Sequence, residues 1–308
     1  MQQGKAGYPS VSRDLQIAVR FHAPPAALQR YFTTFYITEI DLPEAGRVCD
    51  ALQPEWANLR FFTGNRPKAW IEGGCRIEGA RFVATGPSNR SANFELGKSR
   101  LWGIGLLPLG WARFVGLPAD QHANLIADGH DHPAFARFTA LADSLFSTDG
   151  DEQAELERIM AFFSALPELD PAEEARILAI HSALVDPLVA SVGELVERVG
   201  IGQRTVERLC MRHFGFPPKL LLRRQRFMRS LAQFMLDRSL KWIGAIDGHY
   251  HDQAQFIRDF REFMGMSPRQ YAALPHPVLE LFMQERARVH GAAAQTLDVP
   301  AGTAPRAA

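Results

Sequence analysis

Apolar positions along the chain change their period near residue 120. Before that point, short runs rich in aromatic and β-branched side chains alternate with turn dipeptides. Residues 31–40 (YFTTFYITEI), 58–63, 81–85, 93–96 and 101–106 predict strands, with Gly64-Asn65, Gly73-Gly74 and Gly86-Pro87 as turns between them. Short strands at this spacing hide their edges by closing on themselves, which predicts a barrel or sandwich. After residue 120 the period is helical. Leu156, Ile159, Met160, Phe163 and Leu166 form one apolar stripe, which Pro167 ends. Asp170-Pro171 opens a second helix, with aspartate as N-cap, proline at the first helical position and Glu173-Glu174 in the first turn. That helix runs to about Val185, before Pro187. The two stripes predict packing against the barrel, with a dimer contact as the alternative. The last eighteen residues (GAAAQTLDVPAGTAPRAA) have no apolar period and predict disorder.

Residues 191–271 read as two helix–turn–helix units in series. Residues 191–199 (SVGELVERV) form a short helix, Gly200-Ile201-Gly202 a tight turn, and residues 203–214 a second helix. On that second helix Val206, Leu209, Cys210 and Phe214 face inward. Arg204, Glu207, Arg208, Met211 and Arg212 recur at helical spacing on the opposite side. An arginine stripe of this kind suits the DNA major groove, because a guanidinium donates two hydrogen bonds to guanine or one to phosphate. It equally suits a solvated charged face, and the second unit decides between these readings. Residues 242–247 form a short helix, residues 248–251 a turn, and Asp252 with Gln255 three residues on makes a capping box. The next helix buries Phe256, Phe260, Phe263 and Met264 and exposes Gln253, Gln255, Arg258 and Arg261. Between the units a long helix, residues 219–236, carries Lys219, Arg223, Arg224, Arg226 and Arg229 around an apolar stripe of Leu221, Met228, Leu231 and Met235.

Composition narrows the picture. A chain of 308 residues with 46% hydrophobic content holds about two domains, each able to bury a core. Net charge is zero, yet residues 190–275 carry 14 Lys plus Arg against 8 Asp plus Glu, a net of +6, leaving −6 elsewhere. A basic module joined to an acidic one is what a polyanion-binding half would give. Cys49, Cys75 and Cys210 are too few and too scattered for a disulfide framework or a zinc ribbon, which points to a reducing cytoplasm. The first sixteen residues lack the apolar core of a signal peptide. The longest apolar stretch, residues 101–117, is broken by Pro108 and Arg113 and falls short of a membrane span. A soluble cytoplasmic protein with no membrane partner is expected.

Arg204-Thr-Val-Glu-Arg208, His213-Phe-Gly215-Phe-Pro-Pro218-Lys219, Arg223 and Arg226 resemble the first half of the AraC/XylS-type DNA-binding domain. Tyr250-His-Asp252-Gln253-Ala254-Gln-Phe256-Ile-Arg258-Asp-Phe260, then Gly265-Met-Ser267-Pro268, resembles its second half and carboxy-terminal signature. The resemblance covers about 80 residues and implies two helix–turn–helix units on one long helix, reading successive segments of major groove. Carried over to this chain, the base-facing candidates are Arg204, Thr205, Glu207 and Arg208 in the first unit, and Gln253, Gln255 and Arg258 in the second. Arg212, Arg223 and Arg261 are the phosphate candidates. Two positions depart from the family. Gly202 stands where a serine cap is usual, and His249 stands where the turn has glycine. A residue with a Cβ at positive φ costs roughly 1–2 kcal/mol, so either strain at His249 or a changed turn is expected.

The family's usual partner for this domain is a β-barrel that senses a small effector or dimerises. The run from Gly103 to Trp111, followed by Leu117-Pro118-Ala119, loosely resembles one such sensor subgroup. The expected fold is therefore α+β: a cupin-like β-barrel sensor domain (residues 1–150), a helical linker that doubles as a candidate dimer contact (151–187), an all-α tandem helix–turn–helix domain (188–275), and a short helix with a disordered tail (276–308). The implied function is a sequence-specific transcription regulator with double-stranded DNA as partner. A small effector, RNA polymerase and a second copy of the chain are further candidate partners, and no effector-binding residue stands out. An enzyme is not expected, nor a cofactor or metal. In the amino-terminal half, His130 and His132 form the one His-x-His pair and fall after the strands, where a solvated or helix-capping loop suits them better than a metal. Cys75 reads as incidental rather than redox-active, and Trp56, Trp70, Trp102 and Trp111 serve as pocket or core. Two rival functions stand beside the regulator: a cupin-type metal enzyme with a degenerate DNA-binding appendage, and a sensor that has lost DNA binding.

Overall fold

Ten strands make two antiparallel sheets in the computed structural model, which describes residues 14–148 and 150–302. The strands are β1 (Gln16–His22), β2 (Phe32–Asp41), β3 (Val48–Leu52), β4 (Ala57–Gly64), β5 (Lys68–Ile71), β6 (Arg76–Glu78), β7 (Phe82–Thr85), β8 (Ala92–Leu96), β9 (Ser99–Leu106) and β10 (Ile126–Asp128). One sheet has the order β1-β2-β9-β4-β7-β10 and the other β3-β8-β5-β6. The sheet-rich amino-terminal domain and the helical carboxy-terminal domain are as the sequence predicts. The barrel is an open one, because the described strands stay in two sheets.

The four central strands of the six-stranded sheet are largely buried on both faces, and they alternate accordingly. Phe35 and Ile37 of β2, Leu59 and Phe61 of β4, Phe82 and Ala84 of β7, and Trp102 and Ile104 of β9 join a core shared with the helices. Tyr36, Phe62, Val83 and Leu101, one position out of phase, join the core facing the four-stranded sheet. Gly103 on that second face is required by close approach: a Cβ there would sit 1.9 Å from the Tyr36 ring. Between the two sheets lies a cavity of about 120 Å³. One polar cluster in its lining is internally paired. Arg60 grips Glu55 through two hydrogen bonds of 3.0 and 2.7 Å and donates a third, 3.0 Å, to the Tyr36 hydroxyl. Trp56, Trp102 and Trp111 are core residues of the helix-facing side, not cavity lining.

Helices cover that other face. A turn α1 (Pro108–Gly110) runs into a π-helical segment (Trp111–Val115), and α2 (Thr139–Ser144), α3 (Glu152–Ser164) and α4 (Pro171–Val185) follow. Asp170 caps α4 as expected, accepting from the amides of Ala172 and Glu173. α3 is anchored by Glu155, fully buried, which accepts from both Arg100 Nη atoms (2.8 and 2.6 Å) and from the Trp102 indole N–H (2.6 Å). The linker stripe thus packs on the sheet. His132 caps a 3-10 turn at Pro133–Phe138, its Nδ1 accepting from Ala134 N, and His130 Nε2 lies 3.1 Å from Asp143. Among the described residues no group of three His, Cys, Asp or Glu is placed to hold a metal, and no helix is long and apolar enough to cross a membrane.

The expected disorder of the carboxy-terminal tail does not extend to residues 291–302. Thr296 is fully buried, its carbonyl accepting from Gln225 Nε2 at 2.5 Å, and Gln295 Nε2 donates to the Ala57 carbonyl at 3.0 Å. A segment with no apolar period is held here by hydrogen bonds to remote residues, which local pattern does not report. Residues 303–308 lie outside the described residues.

His181, on α4, lies edge-on to Trp56 and Phe214 with neither ring nitrogen hydrogen-bonded, and burial pushes its pKa down to about 3. The folded state then binds fewer protons than the unfolded one below the ordinary histidine value, so its contribution is complete above that value and lost as the pH falls. His181→Phe is expected to remove this loss. Between pH 7 and 5, in denaturant titrations, the wild-type protein should lose about 2 kcal/mol more than the variant. Parallel pH profiles for the two proteins would contradict a neutral, unpartnered imidazole at this junction.

Candidate nucleic-acid interface

The first helix–turn–helix unit is α5 (Val192–Val199) and α6 (Gln203–Phe214). A capping box starts α5, with Ser191 Oγ accepting from Glu194 N and the Glu194 carboxylate accepting from Ser191 N. Gly200 ends it at φ 72°, the left-handed conformation for which glycine is suited. Gly202 caps α6 without a side-chain bond and at negative φ, so the missing serine cap leaves the turn intact. Val206, Leu209, Cys210 and Phe214 are buried as predicted, and burial raises the Cys210 thiol to about 12. His213 joins them; its pKa is down to about 4 through burial, then through Arg212 and Arg208, although Glu173 Oε1 lies 3.2 Å from its Nε2. That carboxylate is off the hydrogen-bonding axis, and burial outweighs it. Arg204, Glu207, Arg208 and Arg212 are exposed, and Thr205 is half-buried.

The joining helix α7 (Pro218–Leu236) buries Leu221, Met228, Leu231 and Met235 as predicted. The second unit is α8 (Lys241–Ala245) and α9 (Gln253–Met264), followed by α10 (Pro268–Ala272). Its turn is organised by Asp247. That carboxylate accepts from Arg229 Nε (2.5 Å) and His249 N (2.9 Å), and the Asp247 amide donates to Ser230 Oγ (2.9 Å). His249 has ordinary negative φ: among the described residues Asn124 is the one non-glycine at positive φ. The turn has therefore changed, and the strain expected at His249 is absent. Asp252 accepts from Gln255 N at 2.6 Å, but the Gln255 side chain reaches His251 N at 3.4 Å rather than the cap's own amide, so half of the expected capping box forms.

Phe256, Phe260, Phe263 and Met264 are buried, and Gln253, Arg258 and Arg261 are exposed with Gln255 half-buried. Asp259, also buried, is the hub that fixes α9 to α7: it accepts from Arg223 Nη2 (2.6 Å), Arg226 Nη2 (3.4 Å) and the Tyr250 hydroxyl (3.1 Å). Arg223 also binds Glu262 at 2.6 Å. Its Nη2 is thus engaged within the domain by two carboxylates. Lys219, Arg223, Arg226, Arg229, His249 and Gln255 meet in a cleft of about 280 Å³ between the two units. Lys219, Arg226 and Arg229 fall near helical spacing along one face of α7, the signal by which they could have been assigned to this cleft. Arg224, one residue from Arg223, belongs to the opposite face. It is fully buried with its guanidinium 3.9 Å from the Trp56 ring centre and Nη1 donating to the Ser88 carbonyl at 2.8 Å.

The chain matches the family described as a helix-turn-helix domain over residues 195–273. The carboxy-terminal domain is of the AraC/XylS type. No curated protein matches the chain. Among solved structures, it is similar to an apo variant of ToxT from Vibrio cholerae, at 12% identity, with 85% of this chain and 97% of that one covered and a TM-score of 0.40. A structure of ToxT from Vibrio cholerae bound to unsaturated fatty acid matches at 11% identity, 85% and 95% coverage and a TM-score of 0.37. The AraC-like transcriptional activator CuxR matches at 12% identity, 70% and 87% coverage and a TM-score of 0.23.

Two variants of the AraC/XylS-type domain test its internal geometry. With φ negative at position 249, His249→Gly offers no relief of strain and only frees the unfolded chain, so it should destabilise by about 0.5–1 kcal/mol. A higher melting temperature for the glycine variant would overturn the assignment of the turn. Arg223→Ala should destabilise by about 1–3 kcal/mol, because it strips a charged partner from a buried carboxylate. Unchanged stability would return Arg223 to the solvent-facing cations.

Proposed function

We propose that the protein is a sequence-specific, DNA-binding transcription regulator in which the sheet domain responds to a small effector. The carrying observation is the division of charge in the second unit and its neighbour. Asp247 and Asp259, the acids that would oppose a phosphate backbone, are bound internally by Arg226, Arg229 and Arg223, while both second helices leave their polar faces open. Arg204 and Arg208 on α6, and Gln253 and Arg258 on α9, are free to meet base edges, Glu207 and Thr205 flank them, and Gln255 lies at the rim of the cleft. Arg212 and Arg261 are exposed near these helices' ends and suit phosphate. The cleft between the units adds Lys219 to that group.

The effector reading rests on the cavity between the sheets. Its charged lining residues are paired, Arg60 with Glu55 and Arg286 with Asp298, so it offers a ligand apolar walls and neutral hydrogen-bonding groups such as Tyr36, Thr38 and Asn58. A neutral, largely apolar molecule fits that chemistry.

Two substitutions separate specificity from affinity. Arg208→Ala should cost about 1–3 kcal/mol on the preferred site and relax the base preference at one position. Lys219→Ala should weaken binding to all duplexes alike and reduce the slope of log affinity against log salt by about one. Selection from a random duplex pool, repeated at several salt concentrations, measures both. Identical sequence profiles and identical salt slopes for the two variants would defeat the sorting, and binding indifferent to salt would defeat the reading as a whole.

A further inference from the structure

The match to the helix-turn-helix family ends at residue 273, but the chain goes on and returns to the sheet domain. Residues 276–302 hold α11 (Leu279–His290), a turn at Gly291, and the packed segment that follows. One carboxylate of β3 receives the start of this segment. Asp50 Oδ2 accepts from the amides of Val278 (3.0 Å) and Leu279 (2.8 Å), and Asp50 Oδ1 lies 2.9 Å from His276 Nδ1, with both side chains fully buried. Phe282 then packs edge-on against Phe21 of β1 and Tyr36 of β2, at ring distances of 5.0 and 4.8 Å. The returning segment bonds to Ala57 on β4 through Gln295, and to Gln225 on α7 through Thr296. It is thus tied at one end to the sheet domain, and at the other to both domains.

Two consequences follow from that placement. Val278, Leu279, Phe282 and Met283 form one wall of the inter-sheet cavity, so a molecule filling the cavity touches this segment directly. The segment also continues into the second recognition helix through packed contacts. The His276 ring stacks on Tyr271 at 4.1 Å, its Nε2 lies 3.1 Å from the Tyr271 carbonyl, and Tyr271 packs on Phe260 of α9 at 5.5 Å. The carboxy-terminal end of α9 also meets the sheet domain directly: Ser91, in the loop before β8, donates its amide to the Phe263 carbonyl at 2.7 Å and its hydroxyl to the Met264 carbonyl at 3.3 Å. Contacts at these points restrain the angle of α9 to α6, and that angle decides whether two recognition helices reach successive turns of one groove.

We propose that residues 276–302 are an autoinhibitory strap: seated on Asp50 and Phe21, they wall the cavity and hold α9 in a fixed orientation, and a ligand that fills the cavity unseats them and frees the second unit for DNA. The proposal rests on the DNA-binding reading above. A ligand shifts such an equilibrium only by binding the two states differently, and the cavity wall supplies that difference because the strap is part of it.

The test uses the full chain with Asp50→Asn, which keeps one acceptor but weakens the cap, and with Phe282→Ala, which removes the wall contact. Hydrogen exchange at residues 279–290 reads strap release, with α4 as the internal control for intact folding. Anilinonaphthalenesulfonate fluorescence reads access to the cavity, and a random-sequence duplex reads DNA affinity. Loss of a helix cap should speed strap exchange roughly fivefold while α4 is unchanged. Dye binding should rise, and duplex affinity should increase by about fivefold or more, within the range of ordinary allosteric coupling. Strap exchange unchanged in both variants, or a released strap with duplex affinity equal to that of the wild-type protein, would overturn the proposal alone. Failure of every protein, wild-type included, to bind duplex at low salt would overturn the DNA-binding reading together with it. If both point variants lose α4 protection, deletion of residues 276–308 is judged by the same dye and duplex outcomes.

Discussion

Burial of the six-stranded sheet's central strands on both faces is the constraint on which the rest of the molecule depends. An antiparallel sheet can leave one face to solvent, and the central strands of this one, β2, β9, β4 and β7, do not. Its helix-facing side belongs to a single apolar cluster that runs from Phe35 and Trp102 through α3 and α4 to Val206, Leu209 and Phe214 of the first recognition helix and Leu221 of α7. The first helix–turn–helix unit therefore shares a core with the sheet domain, whereas the second has a core of its own, built on Phe227, Phe256, Phe260 and Phe263. Each unit is held differently for that reason. The first is fixed to the sheet by area, and the second by polar contacts at Ser91, Asp50 and Gln295 and by Phe282 packed on Phe21 and Tyr36.

Much of the tandem domain is legible in sequence because its determinants are local. Ser191 with Glu194, Gly200, Gly215, Pro218 and Asp252 mark helix ends within a few residues, and period 3.6 marks the faces between them. The sheet domain is less legible. Most of β1, β3, β5, β6 and β10 are too short, at three to five residues, for a period of two to show, and β3 and β10 pair only with strands that are not their neighbours in sequence. β1 is longer, but its alternation is carried by residues that stay half-exposed. The tail escapes for the same reason in stronger form, since what orders it is a carbonyl of Ala57 and a side chain of α7.

The functional residues divide along the same line. Arg204, Arg208, Gln253 and Arg258 can be placed on outward faces from spacing alone, because an outward residue needs no knowledge of its partner. Arg223 cannot, since its role is decided by Asp259 and Glu262 on a different helix. His249 was the residue most open to misreading. A glycine expected by family resemblance predicts positive φ, but the turn is set by Asp247, which draws in the His249 amide and lets the backbone keep a conformation any residue accepts. Arg224 carries a usable signal, falling three residues after Leu221 on the buried stripe of α7, yet a charged residue there reads as an exception until its aromatic partner is known.

That exception bears on how firmly the two domains are joined. Arg224 is fully buried with no carboxylate beside it; its Nε and Nη2 have no hydrogen-bond partner, and burial lowers its pKa to about 9. The Trp56 face and one carbonyl return part of what is lost on leaving water, and an unpaired buried charge remains costly. His181 and the Trp56 indole nitrogen, both unpartnered nearby, add to that cost. The apolar cluster around them favours closure, and these groups oppose it. A junction built from two large terms of opposite sign can be shifted by a small third one, such as occupancy of the cavity on the sheet's other face. The sheet is then more than a scaffold: its residues alternate between the cavity and the junction, so Tyr36 and Ile37, or Phe61 and Phe62, are neighbours in sequence that face the two sites across one layer of backbone.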